Sequence, residues 1–293
     1  MTNLTKETKS ALIFLAFLGA VIYFVYFYVF STTKTNAESS DILEISFLDI
    51  GQGDAIYIEA PNGNQMLVDV GPSSNIASPL KKVIPAFDDY IDVVVLTNPD
   101  ADHIAGLSYI LDNYNVGLVV EPGTKSDTKT YKDLREKINE KHVKYIVANS
   151  STDIILDKES GVYFDVIFPD RDVSYWERND GSLVGVLKYK DVDVLFTGDA
   201  TLKTEDIFLK NENLEGVDIL KVGHHGSRTS TGVSLLREIT PEIAVISSGK
   251  NNRYGHPHQE VIDRLNDFEV ETLLTAKLGT ITILSDGHTL DIK

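Results

Sequence analysis

No cysteine occurs among the 293 residues. That excludes a disulfide framework, a thiolate metal cluster and a cysteine nucleophile. Positive charge is also scarce: 27 Lys and Arg stand against 44 Asp and Glu, a formal net charge of −17. There is no long basic run, which argues against a protein that grips long nucleic acid by smeared positive charge. An acidic protein can still cleave phosphodiesters where metal ions supply the local positive charge. Low-complexity segments are absent, and 42% apolar with 24% charged residues is the composition of a folded chain. The length suffices for a full core in one large domain or two small ones.

One long apolar run is present. Ala11 to Phe30 carries twenty residues without a charge. As a helix it spans about 30 Å, the hydrocarbon thickness of a bilayer. Tyr23, Tyr26 and Tyr28 gather at its far end, as residues do at a membrane interface. Lys6 and Lys9 precede the run and Lys34 follows it, a small positive-inside bias. The expectation is a tail over 1–10, a single-pass anchor over 11–30, a polar linker over 31–41, and a domain over 42–293 held outside the cytoplasm at the cell membrane. A cleaved signal peptide is the alternative. Thr35-Asn36-Ala37 matches a cleavage site poorly, and the run exceeds the usual signal core. Beyond residue 40 the chain keeps 24 basic and 42 acidic residues, so the acidity belongs to the outer domain.

From Ile42 the pattern is strands first, then strands alternating with helices. Leu43–Asp49, Ala55–Ala60 and Gln65–Asp69 read as strands, with Pro61-Asn62-Gly63-Asn64 as a hairpin turn. Val93 to Leu96 is a continuous apolar run, as in a strand covered on both faces. Further strands are expected at 145–147, 162–168, 183–189, 192–196, 219–222, 243–247 and 280–284. Helices are expected over 104–113 and 130–141 and near 201–210, 232–238 and 258–266. Sheets with helices on their outer faces make an α/β layered architecture, and two strand-rich halves are compatible with a duplicated sandwich.

Polar clusters follow the strands. Asn98-Pro99-Asp100-Ala101-Asp102-His103 packs four candidate ligands into six residues after the strand at 93–96. A helix cap explains Asp102 equally well, and Asp100 can simply favour the helix dipole. Thr197-Gly198-Asp199, Gly223-His224-His225-Gly226-Ser227 and the stretch Ser248 to His258 also follow strands. Five of the seven histidines (103, 224, 225, 256 and 258) therefore lie just past strand ends, whereas His142 and His288 read as surface residues.

These phrases, with Phe47 to Asp54 (FLDIGQGD) and Leu67-Val68-Asp69-Val70-Gly71, resemble the metallo-β-lactamase-like domain of ComEC-type competence proteins, in order from about Ile42 to about Leu284. The resemblance implies a four-layer αββα sandwich with a metal site at one edge, between the sheets. It implies metal ligands among Asp100, Asp102, His103, Asp199 and one of His224 and His225. Asp69 resembles the buried acid that orients the ligand loop from behind. Asn98 stands where the superfamily places a first His, and Asp100 where it places a second. The half-site of Asp102, His103, Asp199 and a histidine has four good donors and room for water. The other, of Asp100, Asp199 and Asn98, is oxygen-rich and suits a harder ion. One firm divalent metal is expected, Zn or Mn, with a second conditional on substrate.

The reaction expected is metal-assisted hydrolysis of a phosphodiester, single-stranded DNA among the candidates. Asp100 or Asp102 would orient the water and His256 or His258 would protonate the leaving oxygen. Lys250, Asn251, Arg253 and Ser227 would contact the phosphate. ComEC-type proteins also carry a many-helix channel, which one apolar helix cannot form, so the expected partner is a separate membrane channel. Two other readings stand beside this one. The first is a metallo-hydrolase of another ester or lactone. The second is a tethered binding domain with a decayed metal site, which Asn98 favours and the retained Asp102, His103, Asp199, His224 and His225 oppose.

Overall fold

The computed structural model describes residue 15, residues 17–24 and residues 41–293. The chain divides into two compact units, Met1–Ser40 and Asp41–Lys293. In the first, residue 15 and residues 17–24 are helical. The rest of the expected anchor, the tail and nearly all of the linker lie outside the described residues. Among the described residues, no helix is long and apolar enough to cross a membrane.

The second unit holds fifteen strands in two sheets. The first contains β1 (Leu43–Phe47), β2 (Ala55–Glu59), β3 (Gln65–Val70), β4 (Tyr90–Val95), β5 (Asn115–Glu121), β6 (Lys144–Val147), β14 (Ile281–Ser285) and β15 (Leu290–Ile292), in the order β15-β14-β1-β2-β3-β4-β5-β6. The second contains β7 (Asp153–Asp157), β8 (Val162–Phe168), β9 (Val184–Tyr189), β10 (Val192–Phe196), β11 (Ile219–Lys221), β12 (Ile243–Ile246) and β13 (Glu271–Leu274), in the order β13-β12-β11-β10-β9-β8-β7. Each sheet begins with antiparallel hairpins and changes to parallel pairing, at β3–β4 in one and at β10–β11 in the other.

Side-chain alternation explains the layering. Met66 and Val68 of β3 point between the sheets, and Leu67 points outward. Val194 and Phe196 of β10 likewise face inward, and Leu195 outward. Three apolar clusters result. One lies between the sheets. One joins the first sheet to helices at Ala77–Val83, Leu107–Asn113 and Lys129–Glu140 through Leu80, Leu107, Ile110 and Leu134. One joins the second sheet to helices at Leu202–Asn211, Val233–Ile239 and Gln259–Asp267 through Phe208, Leu236, Val261 and Leu265. The order is helix, sheet, sheet, helix.

Three departures from the sequence reading have physical causes. The helix expected over 104–113 is two helices, Ala101–Ile104 and Leu107–Asn113. Gly106 interrupts them: a Cβ there would stand 1.9 Å from the Val70 carbonyl oxygen, so β3 and the ligand loop touch backbone to backbone. The strands β5, β7, β13 and β15 and the helix at Ala77–Val83 were not expected. β5 pairs in parallel with β4 and β6, partners distant in sequence. The two halves do not each make one sheet either, because β14 and β15 return to pair beside β1.

Candidate metal centre

The polar loops all leave the carboxyl ends of parallel strands. Asp69 sits in β3, the 97–103 loop follows β4, Asp199 follows β10, the 223–227 turn follows β11, and 247–258 follows β12. Asp69 adopts a left-handed backbone, φ 59°. Its carboxylate accepts hydrogen bonds from Thr97 N at 2.7 Å, Thr97 Oγ1 at 2.6 Å and His103 Nδ1 at 2.7 Å. Donation from Nδ1 fixes the tautomer of His103 and turns Nε2 inward. That Nε2 lies 3.2 Å from Asp199 Oδ2.

His225 is held the same way. Its Nδ1 donates to the Ser247 carbonyl oxygen at 3.1 Å and faces Asp54 Oδ1 at 3.3 Å. Its Nε2 lies 3.4 Å from Asp102 Oδ2 and 3.8 Å from Asp199 Oδ1. His224 and His225 are consecutive left-handed residues, φ 48° and 55°, a strained pair at about 1–3 kcal/mol each. The turn is fixed by His224 N donating to the Gly198 carbonyl oxygen and Gly223 N donating to Thr231 Oγ1. The strain turns His225 into the buried centre. His224 stays partly exposed, its Nε2 3.7 Å from Asp199 Oδ2.

Several buried side-chain atoms among the described residues make no hydrogen bond, and His103 Nε2, His225 Nε2 and Asp199 Oδ1 are among them. Ligand atoms of Asp102, His103 and His225 all lie within 4.8 Å of one another, as do those of Asp54, Asp199 and His225. Buried polar atoms are normally satisfied. Two imidazole nitrogens and carboxylate oxygens aimed at one point fit a divalent cation of the Zn or Mn kind.

The electrostatics agree. Burial pushes the Asp199 carboxyl up, but His103 and His225 hold it far below the usual carboxylate range. Burial pushes His225 down, but Asp54 and Asp199 override it and raise the imidazole to about 9. His103 is raised against its own burial by Asp199 and Asp69. Burial pushes Asp102 up, but His225 and His103 together bring it below its ordinary value. The pocket thus draws positive charge, as two protons or as a cation in their place.

An open cleft of about 340 Å³ covers the centre, lined by Gln52, Asp100, Asp102, Arg178, Asp199, His224, His225, Tyr254 and His256, among others. Burial and the neighbouring imidazoles push His256 down to about 4. His258 is not among the lining residues. Its Nδ1 accepts from Arg228 N at 3.0 Å and its backbone N donates to the Gly226 carbonyl oxygen at 2.9 Å, tying two loops together. Lys250 and Asn251 are exposed, and Arg253 donates to Tyr254 Oη at 2.7 Å. Ser227 is buried 3.0 Å from Thr229 Oγ1.

Asp100 and Asn98 stand apart from the converging groups. Asp100 pairs with Arg178. Asn98 is buried; its Oδ1 accepts from Asp100 N at 2.7 Å, and its Nδ2 donates to Asn179 Oδ1 at 3.2 Å. Five further residues belong to the site. Asp54 and Lys221 form a buried pair at 2.7 Å behind His225. Asn252 braces the 249–256 loop through Gly249, Tyr254 and His256. Gln52 and Arg178 line the cleft. Asp54 was visible as the last residue of FLDIGQGD, but its partner was not.

Residues 48–250 match the model of the metallo-beta-lactamase superfamily. The chain belongs to that superfamily. It is 32% identical to ComE operon protein 3 of Bacillus subtilis (strain 168) over 81% of this chain and 32% of that protein. It is 30% identical to Recombination protein 2 of Haemophilus influenzae over 82% of this chain and 28% of that protein. The chain therefore spans about a third of the length of these relatives. Among solved structures, Tm1679, a metal-dependent hydrolase of the beta-lactamase superfamily, superposes with a TM-score of 0.51 at 14% identity over 80% of this chain and 95% of that one. The metallo-β-lactamase α/β sandwich expected from the motifs is the fold, and the superfamily is one of metal-dependent hydrolases with competence proteins among the relatives of this chain.

Proposed function

We propose that this superfamily member is a membrane-anchored phosphodiesterase or nuclease acting outside the cytoplasm. The observation that carries the reading is the convergence of His103 Nε2, His225 Nε2 and Asp199 Oδ1, three buried atoms without hydrogen bonds, beneath an open polar cleft. Asp102, His103, Asp199 and His225 would hold a divalent cation, Zn or Mn, which would supply Lewis acidity and lower the pKa of water. Asp102 is partly exposed to the cleft and orients the attacking water. Lys250 and Arg253 sit on the exposed 249–256 loop and neutralise the phosphate, and Asn251 beside them donates to it. His256 faces the cleft, and an anionic phosphodiester beside it favours its charged form, so that it can hand a proton to the leaving oxygen.

The relatives named ComE operon protein 3 and Recombination protein 2 make DNA the phosphodiester to try first. The formal charge of −17 favours short or single-stranded substrate over duplex, whose denser phosphates an acidic domain repels. Ala11 to Phe30 supports the anchor, and a separate membrane channel is the partner the reading requires.

The test uses the full chain freed of metal, given Mn²⁺ or Zn²⁺, and assayed on bis-p-nitrophenyl phosphate and single-stranded DNA. Metal-dependent turnover of both is expected. Bound metal with no turnover of any ester overturns the reading in favour of a silent binding domain.

A further inference from the structure

We propose that the guanidinium of Arg178 takes the place of a second metal ion, so that the centre works with one divalent cation and one fixed organic cation. The inference rests on the hydrolase reading and deepens it.

Among the described residues, Asp100 is the one expected ligand carboxylate paired with an arginine or lysine. Arg178 Nη1 pairs with its Oδ1, and both residues line the cleft. Among the described residues, the groups that could share a cation draw on Asp54, Asp69, Asp102, His103, Asp199 and His225, and none includes Asp100. Burial raises the Asp100 carboxyl and Arg178 pulls it back, the strongest favourable influence on it.

Asn98 does not compensate. Its amide nitrogen donates to Asn179 Oδ1 at 3.2 Å and Ser182 Oγ at 3.4 Å. Its oxygen accepts from Asp100 N at 2.7 Å. The NH₂ face is therefore turned toward the segment that carries Arg178, and an NH₂ cannot ligate a cation. The amides of Asn98 and Asn179 brace two loops where an imidazole would offer a lone pair.

The Arg178 segment is well anchored. Gly181 N donates to the Glu177 carbonyl oxygen at 3.0 Å, Thr124 Oγ1 donates to the Gly181 carbonyl oxygen at 2.8 Å, and Asp180 accepts from Thr201 and Lys203 at 2.6 and 2.7 Å. The side chain itself is 44% exposed toward the cleft. A guanidinium stays charged at any working pH and offers a planar fork that suits phosphate. In contact with Asp100 it repels a divalent ion from that carboxylate and uses an oxygen the ion would need. Arg178 is thus placed in the cleft to hold a phosphodiester oxygen, independently of metal concentration.

The test counts ions rather than turnover. The full chain is stripped with chelator and titrated with Mn²⁺ alone, and bound Mn is measured by equilibrium dialysis and electron paramagnetic resonance. The wild type should bind one Mn²⁺ with a mononuclear signal. Arg178→Gln should bind a second, with an exchange-coupled signal, and Arg178→Lys should stay at one because the charge remains. Asn98→His combined with Arg178→Gln should bind the second ion at least tenfold more tightly than Arg178→Gln alone. Two ions in the wild type, or one in a folded Arg178→Gln, overturn the proposal and leave the hydrolase reading standing. No ion in the wild type overturns both.

Discussion

Asp54 stands 3.3 Å from His225 Nδ1 with one carboxylate oxygen and accepts from the buried Lys221 ammonium at 2.7 Å with the other. Like Asp69 beside His103, it puts a negative charge behind the ring, but the Nδ1 of His225 donates to the Ser247 carbonyl oxygen; both Nε2 atoms face Asp199. Two loops from different sheets thereby present equivalent donors to one point. The chain Lys221–Asp54–His225 is charged and fully buried, so its members depend on one another.

Lys221→Met should show that dependence. It leaves Asp54 buried without its cation, and breaking such a pair costs about 3–5 kcal/mol. Loss of a group that orients a ligand lowers metal affinity by about 10–100-fold. Urea unfolding and a Mn²⁺ titration measure both effects. An unchanged midpoint with unchanged affinity would remove Lys221 from the centre.

Gly53→Ala should displace the ligand loop. A Cβ on Gly53 would meet the Asp102 carbonyl oxygen at 2.3 Å, and its φ of +124° disfavours any side chain. The clash is with backbone, so the 100–103 loop must move. A stability loss of about 1–3 kcal/mol is expected, together with weaker metal binding. Wild-type affinity in a destabilised variant would mean that the loop absorbs the shift elsewhere.

The metal-free protein should lose stability as the pH rises from about 6.5 to about 9. His225 is raised from 6.5 to about 9 and His103 is also raised, so the folded state keeps protons that the unfolded chain releases. That stabilisation is complete below the unfolded pKa and lost as the pH passes the folded one. Saturating metal replaces the protons, so the decline should vanish in the loaded protein. Thermal melts with and without chelator across this range test it, and parallel curves would contradict it.

Two variants should separate binding from chemistry. Asp199→Ala removes the residue both imidazoles face and should abolish metal binding and turnover together. His256→Ala should keep the metal count and lose about 100-fold in kcat, the lower end for a lost proton donor. Metal analysis beside an ester assay decides the matter, and a His256→Ala variant with wild-type kcat would move the proton donor elsewhere.

If Ala11 to Phe30 is the proposed anchor, membrane attachment should depend on the first forty residues. The full chain should remain in the membrane pellet after alkaline carbonate washing, and a chain beginning at residue 41 should be released. Release of both would dismiss the anchor.

Much of the layering was legible because strand periodicity is local. The run Val93 to Leu96 announces a strand covered on both faces, and the fold turns Val93 and Val95 between the sheets and Val94 outward. Polar residues just past strand ends likewise located the 98–103, 199, 224–225 and 256–258 groups. Between the two histidines at 256 and 258, sequence offered no choice. Only the fold puts His256 in the cleft and makes His258 a tie between loops. The break at Gly106 was hidden too, because the apolar spacing of 104–111 is helical throughout and the Val70 carbonyl that interrupts it lies on another element.

The sequence by itself determined the layered α/β class and the places of the candidate ligand residues after strands, because periodicity and residue chemistry reside in neighbouring positions. Tertiary structure alone decided which histidine turns inward, that Asp54 meets Lys221 from 167 positions away, and that Arg178 answers Asp100. Those pairings arise where loops from two sheets meet at one edge, and no local spacing encodes which distant charge a buried carboxylate will face.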